Sequence, residues 1–217
     1  MFTVSLEKND QRPKSVLFLG AHCDDIEIGC GGSVLELAKR YPDMEVNWIV
    51  FSSNPVREKE AQTCAQAFLS EVKNKNIVIK NFRNGYFPYC AAEIKEYFEE
   101  IKNHISPDMV FTHYRDDLHQ DHRTISQLTW NTFRDHLILE YEIAKYDGDL
   151  GTPNFFVRLD GNTVERKIQF LMEYFKTQHD KQWFTEDTFK ALMRIRGIEA
   201  NSNTSYAEAY YCRKLVI

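Results

Sequence analysis

Two short clusters carry the residue types from which a reactive site can be built. The first is Gly20-Ala21-His22-Cys23-Asp24-Asp25-Ile26-Glu27 and the second is His119-Gln120-Asp121-His122. Imidazole and carboxylate are common ligands of catalytic zinc, which takes three protein ligands and keeps a fourth position open for water. His22, Asp25 and one histidine of the second cluster supply such a set. Asp24 is then left beside the ion, free to accept a proton from water. A divalent ion with a general base next to it is the minimum needed to hydrolyse an amide. Two histidines and one carboxylate also suit ferrous iron. Zn2+ is therefore the expected cofactor, with Fe2+ as the alternative.

The clusters matter only if the fold brings them together, and the flanking pattern provides for that. Ser15–His22 reads as a buried strand, followed by a helix over Gly31–Tyr41. A second strand (Glu45–Ser53) precedes a helix over Val56–Val72, and a third strand (Asn76–Phe82) precedes a helix over Ala91–Ile105. A fourth strand spans Met109–Tyr114, a helix runs from about Asp121 to His136, and a strand lies near Ile138–Lys145. Strands alternating with helices of this length imply βαβ units and a mostly parallel sheet. Such sheets bind ligands outside the carboxyl ends of their strands. One cluster directly follows the first strand and the other lies a few residues after the fourth, so both can face one crevice. The last third is turn-rich over Gly148–Asp160, with Asp160-Gly161-Asn162 as a turn. It continues with helical patterns over Thr163–Gln178 and Thr185–Ile198 and a final strand from Glu208. The expected architecture is a Rossmann-like α/β fold, a mostly parallel sheet flanked by helices with a small C-terminal elaboration, in one domain over residues 1–217.

Composition narrows the function classes. The 217 residues suffice for one α/β domain. The chain has 27 Lys and Arg against 32 Asp and Glu, and no long cationic run. Nucleic acid and anionic membranes need clustered cations, so neither is the expected partner. No stretch reaches the roughly 18 apolar residues of a membrane span. The N-terminal MFTVSLEKNDQRPK has no apolar core of signal-peptide length. Cys23, Cys30, Cys64, Cys90 and Cys212 form neither a disulfide framework nor a CxxC clip. Five reduced thiols in a cytoplasmic protein are expected.

The sequence AHCDDIEIGCGG resembles the AHPDDxExxxGG signature of the LmbE-like de-N-acetylases, the superfamily of N-acetylglucosaminyl-phosphatidylinositol de-N-acetylase (PIG-L). THYRDDLHQDHR is similar to that family's second signature, HPDHR or HxDH. Arg57 and Glu60 stand where members carry Arg-x-x-Glu. Arg194–Gly197 with Tyr206-Ala207-Glu208-Ala209-Tyr210 resembles the family's RG…AEAF ending. The resemblance implies zinc ligands at His22, Asp25 and His122 and a general base at Asp24. It places His119 near the scissile carbonyl as a cation or proton donor, with Asp121 supporting its charge, and it implies a reach from Arg57 to the sugar. His113, at the end of a strand, is a further candidate for lining the pocket. The implied activity is hydrolysis of the N-acetyl group of an N-acetylglucosamine-type conjugate, a small-molecule amino sugar. Members are often oligomeric, but no interface is readable here. Cys23 and Gln120 replace the prolines of the two signatures, which puts a thiol beside the metal and leaves the turn less rigid.

Each feature taken alone has a plainer reading. An Asp-Asp pair after a strand is commonly a helix cap, and an Arg-x-x-Glu on a helix is commonly an exposed ion pair. Glu27 suits the start of a helix, where the dipole favours a carboxylate. Asp116 and Asp117 suit either a solvated loop or an orienting role beside the second cluster. What favours a site is that both clusters follow strands of one sheet and complete one ligand set. Gly29, Gly31 and Gly32 invite a dinucleotide-binding reading, but the first turn lacks G-x-G-x-x-G and its carboxylates would repel a pyrophosphate. A non-catalytic carbohydrate- or metal-binding protein is the other alternative, and Asp24 weighs against it.

Overall fold

The structure is a computed structural model that describes residue 3 and residues 12–216. The N-terminal stretch discussed above therefore lies mostly outside the described residues, as does Ile217. Seven strands join in one sheet: β1 (Ser15–Gly20), β2 (Glu45–Val50), β3 (Asn74–Ile79), β4 (Met109–His113), β5 (Leu137–Tyr141), β6 (Phe155–Leu159) and β7 (Tyr206–Cys212). Their order is β3-β2-β1-β4-β5-β7-β6. The first five pair in parallel, and β7 runs antiparallel to both β5 and β6. The C-terminal third thus extends the same sheet.

Side-chain alternation sorts the strands' residues onto two faces. Val16, Phe18, Val46, Trp48, Met109, Phe111, Leu139 and Tyr141 share one core cluster. It is covered by α1 (Asp25–Arg40), α2 (Pro55–Phe68), α5 (Gly161–Tyr174) and α6 (Glu186–Glu199). Leu17, Leu19, Ile49, Val110 and Ile138 enter the other cluster, beneath α3 (Ala91–His104) and α4 (Gln120–Thr132). Burial on both faces explains why β1 reads as an unbroken apolar run. No helix among the described residues is long and apolar enough to cross a membrane.

Three helix starts are fixed by Asn, Asp or Thr side-chain caps. Asn54 caps α2, Asp160 caps α5 through Thr163 N–H, and Thr185 caps α6. Asp160, expected within a turn, is thus the first fixed point of a helix. The larger departure concerns α1, which begins six residues before the expected Gly31 and contains a non-helical residue, Cys30, with φ −142° and ψ 16°. Only the second part of α1 has the amphipathic spacing that sequence reading detects. The first part is buried all round.

Strands β1 and β4 are adjacent at the centre, and β2 and β5 flank them on opposite sides. This is a topological switch point, where a crevice opens at the carboxyl ends of the strands. The first cluster leaves β1 there, and the second opens α4 after β4.

Candidate active site

Ala21 to Asp24 form the turn between β1 and α1, and His122 lies in the first turn of α4. Nδ1 of His22 is 3.2 Å from Nε2 of His122 and 3.4 Å from Oδ2 of Asp25. Nε2 of His122 is 3.5 Å from Oδ1 of Asp25. A tetrahedral ion with bonds of about 2.0–2.1 Å has donor–donor edges of about 3.3–3.4 Å. The three separations are close to that edge, although the two Asp25 distances run to different carboxylate oxygens, so the three side chains stand within reach of one candidate ion position. Two more imidazoles stand close. The donors of His22, His119 and His122, and those of Asp25, His113 and His122, each lie within 4.8 Å of one another.

Every member of the set has a partner behind it. Oδ2 of Asp121 is 3.2 Å from Nε2 of His22, and Oδ2 of Asp117 is 3.0 Å from Nδ1 of His122. Asp25 Oδ2 accepts the backbone N–H of His22 at 2.6 Å and faces Nε2 of His113 at 3.2 Å. A carboxylate behind a ligating histidine fixes which ring nitrogen faces the ion. Asp117 is itself held by Lys145 Nζ at 3.0 Å, and Lys145 also pairs with Asp149.

The same contacts divide the groups into charged and neutral forms. Burial pushes His22 down, but the charge of Asp25 and hydrogen bonds to Asp121 and Asp25 outweigh it and raise His22 to about 9. Burial and the adjacent His113 push His122 down to about 3. Burial would raise Asp25, yet His122, His113 and His22 hold it well below the usual carboxylate range. Burial also opposes ionisation of Asp117, and the hydrogen bond from His122 and the charge of Lys145 prevail.

Asp24 occupies the N-cap position of α1, but its side chain makes no capping hydrogen bond. It is 5% exposed, and its Oδ1 lies 2.8 Å from Nη2 of Arg57. That approach is an ion pair without hydrogen-bond alignment, since Nε and Nη2 of Arg57 have no hydrogen-bond partner. Asn54 Oδ1 accepts the N–H groups of Val56 and Arg57, each at 3.1 Å, and so fixes the turn that presents Arg57. Beside the ligand set, the ring of His119 lies 4.9 Å from that of His22. Its Nδ1 accepts the backbone N–H of Asp121 at 3.3 Å as the cap of α4, which makes Nε2 the N–H pole. Burial and the charge of His22 lower its pKa.

The GlcNAc-PI de-N-acetylase (PIG-L) family model matches residues 17–133, more than half of the chain and both clusters. The chain belongs to this family. Solved structures share the fold of this PIG-L member. N,N'-diacetylchitobiose deacetylase from Pyrococcus horikoshii superposes with a TM-score of 0.68 at 19% identity, over 92% of this chain and 84% of that one. The A40926 pseudoaglycone deacetylase gives 0.67 at 16% identity, over 93% and 98%. The 4-carboxy-2-hydroxymuconate hydratase from Pseudomonas putida KT2440 gives 0.69 at 13% identity, over 94% and 98%. A hydratase on this scaffold means that the fold alone does not choose the reaction.

In this PIG-L chain His22, Asp24, Asp25, Arg57, His113, His119, Asp121 and His122 all converge, but some partners differ from expectation. Asp121 was expected to support the charge of His119. Its carboxylate instead meets His22 and accepts the N–H groups of Gly85 at 2.6 Å and Phe87 at 3.1 Å. Residues two apart on a helix do not face each other, which separates Asp121 from the His119 ring. His119, its pKa held down by burial and the charge of His22, presents Nε2–H as a donor. His113 does not line open space. It is fully buried, stacks on His122 at 4.0 Å, and accepts Ala21 N–H at 2.9 Å. Cys23 was expected as a thiol beside the metal. It is buried and donates to Ser52 O at 3.3 Å, and burial raises its pKa, so it remains a protonated thiol. Glu27 does lie in the first turn of α1, but wholly buried and with neither oxygen hydrogen-bonded. Burial raises its pKa well above the carboxylate range, so the dipole reading gives way to a neutral acid. Glu60 turns away from the site and holds Thr177. Asp117 and Lys145 were not separable from ordinary loop charges, because two adjacent aspartates had equal claims and only the fold decides between them.

Proposed function

We propose that this chain is a zinc-dependent N-deacetylase, working as a single domain on an N-acetylglucosamine-type conjugate and releasing acetate and a free amine. The observation that carries the reading is the convergence of His22, Asp25 and His122, with a second carboxylate, Asp24, one residue away and outside that set, paired with Arg57. The family's name and two deacetylases among the structural relatives support an acetamido sugar as substrate.

Bound at that set, zinc would polarise the acyl oxygen and acidify a water molecule. Asp24 accepts the water's proton as the oxygen attacks the acyl carbon. Arg57 pairs with Asp24 and holds it in place, and its partly exposed side chain is the one that would reach a sugar hydroxyl. Nε2–H of His119 donates to the acyl oxygen as negative charge builds there. Asp24 then returns the proton to the nitrogen as the C–N bond breaks.

The test is acetate release, with equal appearance of primary amine, from a panel of N-acetylglucosamine conjugates. Chelation should abolish release and zinc should restore it. Tight sugar binding with no acetate from any conjugate would favour a carbohydrate-binding protein instead.

A further inference from the structure

The break in α1 at Cys30 exposes backbone groups that a continuous helix would pair internally. Two side chains from distant elements take them up. Glu208 of β7 accepts Gly32 N–H through Oε1 and Ser33 N–H through Oε2, each at 2.7 Å. Lys167 of α5 donates to Ile28 O at 2.6 Å and pairs with Glu208 Oε1 at 2.7 Å. Tyr210 OH donates to Glu208 Oε2 at 2.9 Å and lies 2.5 Å from Ser33 Oγ. Both members of the ion pair are almost fully buried. Close approach requires glycine. A Cβ on Gly32 would lie 2.9 Å from Glu208 Oε1 and 2.5 Å from Leu159 Cδ1. A Cβ on Gly29 would lie 2.2 Å from the ring of Tyr141. Of the glycines that invited a nucleotide-binding reading, Gly32 serves this junction directly.

We propose that Lys167 and Glu208 are positioning residues for Asp24 and Asp25. The segment Asp25–Gly29 is little more than one helical turn, too short to hold its direction by its own hydrogen bonds. Lys167 grips the carbonyl near its end, and Glu208 caps the segment that follows. Its orientation, and with it that of Asp25 and the preceding Asp24, is therefore set by α5 and β7. Stability alone does not call for this device, because a buried ion pair adds little over a well-packed apolar pair. An apolar pair, however, cannot hold Ile28 O and the two amides. The inference rests on the deacetylase reading only for its kinetic consequence.

The test compares zinc affinity, by competition with a chromophoric chelator, in the parent, Glu208→Gln and the double variant Lys167→Met/Glu208→Leu. The double variant leaves no uncompensated buried charge. Leu171→Ala, a core truncation one turn along α5 from Lys167 that leaves the polar groups of the junction intact, controls for general loosening. Outer-shell changes at metal sites typically cost about 10–100-fold in affinity. We expect a loss of that order in both junction variants, with folded circular dichroism spectra, and less than about threefold in Leu171→Ala. On an active substrate kcat should fall and KM should hold, because the displaced groups are the reacting ones. Should Glu208→Gln not fold, the double variant decides. Parent-like zinc affinity in a folded junction variant, or an equal loss in Leu171→Ala, would overturn the proposal. Absence of acetate release by the parent would overturn the deacetylase reading while leaving the affinity comparison valid.

Discussion

Asp24 and Asp25 are the same side chain one residue apart, and their surroundings make them different reagents. Asp25 is enclosed by His22, His113 and His122, which hold its carboxyl well below the usual range within the proposed ligand set. Asp24 turns to Arg57 and keeps its carboxylate out of both the ligand set and the helix cap. Asp24→Asn should therefore retain metal and fold while losing on the order of 10²–10⁴ in turnover, the usual contribution of a general base. Asp25→Asn should lose the metal as well. Metal content measured beside kcat separates the two, and equal metal loss in both would remove the assignment of Asp24 as base. The residue types of the site were legible in the sequence because few side chains ligate zinc and both clusters follow strands. The pairing of each carboxylate with an imidazole was not. Asp121 pairs with His22 across roughly a hundred residues, which spacing cannot reveal.

At the scale of elements, the parallel strands and the amphipathic helices were readable from period alone, with ends shifted by a few residues. The start of α1 was not, because residues buried on every side have no period to detect. The amides freed at its break are taken up by Glu208, which follows in the chain by more than 170 residues. Helix α2 is the contrasting case, since its start is written locally in Asn54-Pro55. Asn54 accepts two backbone N–H groups in the turn that carries Arg57. Asn54→Ala should cost about 1 kcal/mol. For a chain of this length that lowers the melting temperature by about 2–4 °C. An unchanged melting temperature in a thermal scan would mean that the cap carries no weight in solution.

For the molecule as a whole, sequence alternation foretold the central sheet, whereas the antiparallel β7 and β6 depend on how the last third folds back onto β5. At the site, protonation, metal binding and stability share one linkage. In the metal-free fold His22 is raised to about 9 from an ordinary 6.5. A raised folded pKa contributes stability that is fully present below about 6.5 and is lost as pH climbs through about 9. His122 is lowered to about 3, so its contribution is present above about 6.5 and is lost as pH falls toward 3. The chelated protein should thus be most stable near pH 6.5 with respect to these two groups, and should weaken on either side. Metal binding at the proposed set would require both imidazoles neutral, so His22 would release its proton while His122 has none to lose. At pH 7.5 about one proton should leave per zinc bound, and affinity should rise about tenfold per pH unit until His22 is neutral without the metal. Calorimetric titration in buffers of different ionisation enthalpy counts the protons, and thermal scans of chelated and zinc-loaded protein at pH 7 and 9 read the linkage a second way. The gap between loaded and chelated melting temperatures should widen toward pH 9 at fixed free zinc. Asp121→Asn, which removes the carboxylate behind His22, should shrink the proton count at pH 7.5. Zero proton release by the parent at that pH would mean that His22 is already neutral in the metal-free protein, and the charge division drawn for this site would be wrong.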